Sequence, residues 1–215
     1  MLGKSLSEQG YPGGLWEKQN LVGVKAPVFS MSKLSGVDTY LSPEMKSTGE
    51  VMGIDHDLNG ALAKALISSG MTLPAGKSIL LSIADYNKID AEPIIRSLVD
   101  AGCGLYATAG TALMVEKMGF PVVAVPKRLN EGHPNVLDVI ADGSVKAVIN
   151  TLTGDRETLK DGFQIRRAAT EHGIPCFTSL DTARAAADSL VAGPGTFNIK
   201  PLSEYLKSGV NTKEQ

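Results

Sequence analysis

Residues suited to holding an anion recur at one kind of place in this chain, the point where a short apolar run gives way to a helical pattern. Ser82 closes "ILLS" with Lys88 shortly after it; Thr108, Gly110 and Thr111 lie in "YATAGT"; Lys127 follows "PVVAV"; Asn150, Thr151 and Thr153 stand in "KAVINTLT". Hydroxyls and N–H groups at a helix start donate to phosphate oxygens, the helix dipole favours negative charge there, and lysine adds a compact positive charge. The Asn150 amide could read a base, a sugar or a phosphate. A phosphomonoester or nucleotide is the ligand class these residue types imply.

Each residue also has a plainer role open to it. Thr108 could cap one helix, Asn150 and Thr151 another, and Lys88 and Lys127 could be solvated surface lysines. As a set they are harder to dismiss, because donors stand on four successive strand ends with few acids among them. Catalysis has less support. His133 lies in a polar loop, where a lone histidine serves either as an acid–base group or as a surface residue, and Asp85, Asp138, Asp155 and Asp161 show no spacing that argues for a catalytic pair. "TAGT", "GDRETLKDG" and "NEGHP" all lack the spacing of a phosphate loop or dinucleotide fingerprint. A binding site is expected more than an active one.

The elements that would position these residues follow from the pattern after Lys77. Apolar runs alternate with amphipathic segments: "SILLSIA" precedes a helix with Ile94, Ile95, Leu98 and Val99 on one face. "CGLYA" then leads into "GTALMVEKMG", "PVVAV" into "PNVLDVIADG", "KAVIN" into "GFQIRRAATEHG", and "IPCFTS" into "DTARAAADSLVAG". Near-continuous apolar strands imply a sheet covered on both faces, and strand–helix alternation implies parallel pairing with right-handed crossovers. The expected fold class is α/β: a doubly wound five-stranded parallel sheet over residues 77–193, with helices on both faces. Residues 1–76 read as a loop-rich α+β segment in which "VKAPVFSMSKL" suits a strand and "DLNGALAKALISSG" a helix closed by Gly70. Residues 194–215 read as a surface extension.

Composition adds bounds. The chain has 215 residues, 43% hydrophobic and 20% charged, enough for one sizeable core, and its net charge of −2 gives no general reason to bind nucleic acid or an anionic membrane. Any anion must therefore be held locally. Cys103 and Cys176 sit in apolar segments without metal-ligand spacing and are expected to be buried reduced thiols. The opening residues do not read as a signal peptide and no apolar run reaches bilayer length, so a cytoplasmic location is expected.

In order, "LLSIADYNK", "LYATAGTA", "EGHPNVLDVI", "VINTLTG", "DGFQIRRAA" and "GIPCFTSLDTARAA" resemble the methylglyoxal-synthase-like domain that closes the large subunit of carbamoyl-phosphate synthetase. "MLGKSLSEQG", "APVFSMSKL" and "SPEMKSTGEVMG" resemble the end of the second ATP-grasp region of that subunit. The resemblance implies an allosteric module whose strand-end pocket takes phosphorylated effectors of the UMP or IMP type, with phosphate- and ribose-contacting positions matching Ser82, Lys88, Thr108, Thr111, Lys127, Asn150 and Thr153. It also implies partners, namely the rest of the synthetase chain and its glutamine amidotransferase subunit, in an assembly that uses ATP and Mg, with no cofactor belonging to this chain itself.

Departures from the pattern carry expectations too. The loop "PKRLNEGHPN" is one residue longer than usual with His133 where arginine is common, and Phe177 stands where ornithine-responsive members carry aspartate, which argues against ornithine activation. The family's ATP-grasp active site would precede Met1, so carbamoyl phosphate synthesis by this chain alone is not expected. Methylglyoxal synthases carry an aspartate where this chain reads "EGHPN", which argues against that lyase chemistry. The alternatives to a sensing module are such a lyase, a cyclohydrolase-like domain, or an assembly module with a vestigial pocket.

Overall fold

The computed structural model describes residues 3–11, 13–15, 20–33, 39, 41, 43–127, 131–152, 156–192 and 199–209. They form two units by contact density, Val22–Ile199 and a smaller one made of Met1–Leu21 with Lys200–Gln215. Contacts thus remain dense across residue 76, where the sequence pattern changes.

The larger unit opens with an antiparallel hairpin, β1 (Val22–Val28) against β2 (Gly49–Asp55), covered by helix α1 (Leu58–Ser69). The Asp57 carboxylate caps α1 by accepting from Gly60 N–H at 2.9 Å, and Gly70, at φ 73°, ends it in the left-handed conformation open to glycine.

Then come β3 (Ile79–Ser82), α2 (Lys88–Asp100), β4 (Leu105–Thr108), α3 (Ala109–Lys117), β5 (Val123–Val125), α4 (Val136–Ala141), β6 (Ala147–Asn150), α5 (Arg156–Glu171), β7 (Cys176–Phe177) and α6 (Leu180–Ala192). The five strands β3–β7 are parallel in the order β5-β4-β3-β6-β7. This is the expected doubly wound sheet.

Strand alternation divides the core. Ile79, Leu81 and Ile149 face α2, α3 and α6, whereas Leu80 and Val148 face α4 and α5. Both faces of the inner strands β3 and β6 are therefore dry, which is why these strands read as unbroken apolar runs. Leu66 of α1 joins the first of these clusters with Leu73, so the hairpin layer and the sheet share packed side chains.

Cys103 is buried as expected, and burial pushes its thiol pKa up; Cys176 is only half-buried, because β7 is the sheet's edge strand. Within the smaller unit, Ser7–Gln9 make one turn closed by Gly10, and α7 (Leu202–Gly209) gives the tail a helix that was expected to be plain extension. Among the described residues no helix is long and apolar enough to cross a membrane.

Candidate functional site

From β3 the chain winds outward to β4 and β5, then returns to β6 on the other side of β3. Such a reversal opens a crevice beyond the carboxyl ends of the two strands, where α/β sheets hold ligands. Ser82 and Asn150, the last residues of β3 and β6, are register partners there.

Eight described residues have buried polar or charged side chains, and six of them, Ser82, Thr108, Thr111, Asn150, Thr151 and Arg166, belong to this strand end. Burying polar groups is costly unless they are bonded, so their concentration at one place calls for a reason. Part of that reason is visible in their bonds.

Two threonines clamp the exit of β3. The Thr111 hydroxyl accepts from Ile83 N–H at 3.0 Å and lies 3.4 Å from the Ile83 carbonyl, while the Thr151 hydroxyl accepts from Ala84 N–H at 2.7 Å. Thr151 N–H in turn donates to the Ser82 carbonyl at 3.1 Å. Held on both sides, the turn delivers Asp85–Asn87 and then Lys88 to the start of α2. Tyr86 hydroxyl also donates to the Leu152 carbonyl across the crevice. A Thr111→Val variant keeps the shape and strands the Ile83 N–H, so we expect a loss of about 1–2 kcal/mol in chemical denaturation.

Thr108 occupies the N-cap position of α3, yet its side chain caps nothing and lies 3.5 Å from the Thr111 hydroxyl. The first N–H groups of α3 thus keep their capacity to donate. Among the described residues neither Asn150 nor Thr151 caps the start of α5: Asn150 bonds to Arg166, more than two turns into that helix, and to the Ser82 carbonyl of β3, while Thr151 accepts from Ala84 N–H just past β3.

Lys88 Nζ pairs with Asp85 Oδ1 at 2.7 Å, and a Cβ on Gly110 would come within 3.3 Å of that nitrogen. The ammonium therefore lies over the first turn of α3. Its side chain is one-quarter exposed, and that of Asp85 is almost fully so. The lysine hydrogen bond, followed by its charge, holds the Asp85 carboxyl below its ordinary pKa. Lys88 and Gly110 open on a groove of about 480 Å³ between α2 and α3 that also carries Arg96 and Lys117.

The remaining expected residues divide. Lys127 lies two positions past Val125, the register partner of Thr108. Thr153 lies outside the described residues, as does Asp155. Arg166 was not expected at all: it is 1% exposed and donates from Nη1 to Asn150 Oδ1 at 2.9 Å.

His133 has a structural partner rather than a place among the strand-end donors. Its Nδ1 is 2.6 Å from Asp138 Oδ2, which also accepts from Asn135 N–H at 2.8 Å, and the Asn135 carboxamide accepts from Leu137 and Asp138 N–H. Asn135 and Asp138 thereby form a capping box on α4. The Asn135 N–H first, then His133, hold Asp138 below its ordinary pKa. A carboxyl whose folded-state pKa is depressed contributes stability above its unfolded value, near 4, and loses it as pH falls through the folded value. Asp138→Asn should therefore flatten the fall of the melting temperature below about pH 4.

Residues 90–178 match the family model described as the MGS-like domain. The chain is also 52% identical, over 205 residues, to the carbamoyl phosphate synthase large chain of Thermomicrobium roseum, covering 95% of this chain and 19% of that one. The resemblance drawn from the motifs is thereby borne out, for a stretch that spans about a fifth of the relative. Among solved structures, the methylglyoxal synthase of Elizabethkingia anophelis matches 65% of this chain and 96% of its own, with 21% identity and a TM-score of 0.40.

Proposed function

We propose that this chain is the allosteric portion of a carbamoyl-phosphate synthetase large subunit, and that its strand end binds a phosphorylated effector of the UMP or IMP type. The observation that carries the reading is the gathering, at the β3–β6 crevice, of six of the eight buried polar side chains among the described residues, beside the uncapped start of α3 and Lys88. Helix N–H groups, a hydroxyl proton from Thr151 and an ammonium together form a donor set for a phosphate. Residues 1–76 then represent the end of an ATP-grasp region. Chemistry using ATP and Mg falls to the rest of the synthetase, with the glutamine amidotransferase subunit as a further partner, in the cytoplasmic supply of carbamoyl phosphate for pyrimidine and arginine synthesis.

Calorimetric titration with UMP, IMP and inorganic phosphate at low salt tests this. Saturable binding of a nucleotide supports it, and no heat from any of the three refutes it. Turnover of dihydroxyacetone phosphate would assign the chain to the lyases instead.

A further inference from the structure

We infer that Arg166 is a positioning residue that fixes the direction of the Asn150 amide, so that the strand end presents an N–H donor, never an acceptor, to its ligand. The inference rests on the effector reading above and specifies what that site selects. A guanidinium has five donors and no acceptor, so the atom of Asn150 that meets Arg166 Nη1 at 2.9 Å has to be the carbonyl oxygen. The amide nitrogen is then turned the other way, where one N–H makes a long 3.5 Å bond to the Ser82 carbonyl and the second remains to donate. Both side chains are nearly inaccessible, 1% for Arg166 and 2% for Asn150, so rotation of the amide would set its NH2 against the guanidinium with no solvent to relieve it.

Gly162 makes room for this arrangement. A Cβ at that position of α5 would come within 2.8 Å of Arg166 Nη1 and 3.4 Å of Asn150 Oδ1. Glycine inside a helix is costly relative to alanine, so its presence one turn before Arg166 fits a need to seat the guanidinium. The consequence is selectivity for a ligand that brings an acceptor to this point, such as a phosphate oxygen or a ring carbonyl. A ligand offering a donor there is rejected, because buried unpaired polar groups discriminate strongly.

The test combines nuclear magnetic resonance of the Asn150 side-chain amide, assigned by its disappearance in Asn150→Asp, with calorimetry using UMP and inorganic phosphate. Melting temperatures are recorded throughout. Arg166→Met and Gly162→Ala should both shift the amide resonance and weaken binding about tenfold, although the alanine favours the helix. Arg166→Lys, again a donor without an acceptor, should restore most of both. Asn150→Asp keeps the bond to Arg166 but replaces the donor by an anionic oxygen, and should weaken binding about a hundredfold with the fold intact.

An amide resonance and affinity unchanged in Arg166→Met overturn the inference, as does tight binding by Asn150→Asp. If the unaltered protein binds neither ligand, the effector reading fails. The amide resonance of the ligand-free variants would then decide by itself whether Arg166 orients Asn150.

Discussion

Gly53→Ala is expected to lower the stability of the protein by about 3 kcal/mol, the upper end of what overpacking costs, read as a shift in the denaturation midpoint. A Cβ built on Gly53 would lie 2.0 Å from the Ala61 carbonyl oxygen and 2.7 Å from Ala65 N. Both are backbone atoms of α1, so no side chain can swing aside and the whole helix has to move off the hairpin. The helix is tied down elsewhere: Lys64 Nζ pairs with buried Asp55 at 2.8 Å and donates to the Ile54 carbonyl at 2.7 Å, and a Cβ at Gly60 would meet the same Asp55 carboxylate at 2.6 Å. Gly23→Ala, in the facing strand, is the control. Its Cβ would meet only Met52 Sδ, at 4.0 Å, so the change should be neutral or slightly stabilising, since strand glycine carries an entropic cost.

The pair of variants also asks whether the hairpin layer and the sheet unfold together. Leu66 of α1 packs in the same cluster as Ile79 and Phe177, and α1 touches α6 directly. Displacing α1 should therefore shift a single transition without splitting it in two. A separate early transition in Gly53→Ala would show that the hairpin layer unfolds by itself and would rule out transmission through this packing. Such shared packing is a physical route by which occupancy of the proposed strand-end site would be felt at the hairpin.

Most of the sheet was legible because double burial leaves a simple trace, an unbroken apolar run ending in a polar residue. The five strand-end residues Ser82, Thr108, Thr111, Asn150 and Thr151 could be gathered for the same reason, since each sits where such a run stops. What those residues bond to was less legible. A strand-end hydroxyl serves equally as donor to a ligand or acceptor from a neighbouring backbone, and only the fold shows Thr111 and Thr151 spent largely on the β3 exit.

Strand β2 was hidden because "GEVMGID" carries two glycines and two acids, residues that read as loop; Gly53 is there because α1 sits directly on it. Arg166 was hidden because an arginine in an amphipathic helix reads as surface. A helical-wheel signal did exist: Gly162, Arg166 and Ala169 recur at helical spacing, and Gly162 and Ala169 are small or apolar residues on the buried stripe. In "QIRRAA" successive arginines point about 100° apart, so only one of the two could follow that stripe inward.

Lys88→Ala should weaken the binding of a phosphorylated effector by about 10- to 100-fold, the range expected when a charge-assisted hydrogen bond of roughly 1.5–3 kcal/mol is lost. The ammonium lies over Gly110 in the first turn of α3, where the helix dipole presents partial positive charge. A cation is the wrong sign for that place unless an anion joins it. In the ligand-free protein Asp85 supplies part of the compensation from an almost fully exposed position, where ion pairs contribute little. A phosphate entering between Lys88 and the α3 N-terminus would satisfy both.

Two further results follow from that geometry. Without ligand, Lys88→Ala should melt no lower than the unaltered protein, because the lysine gains little from Asp85 and opposes the dipole. Asp85→Ala should tighten binding a few-fold at low salt, an advantage that fades as salt screens the exposed carboxylate. Unchanged affinity in Lys88→Ala, measured by calorimetry with the nucleotide that binds the unaltered protein, would remove the lysine from the site and leave the start of α3, the Thr151 hydroxyl and the Asn150 amide as the phosphate donors.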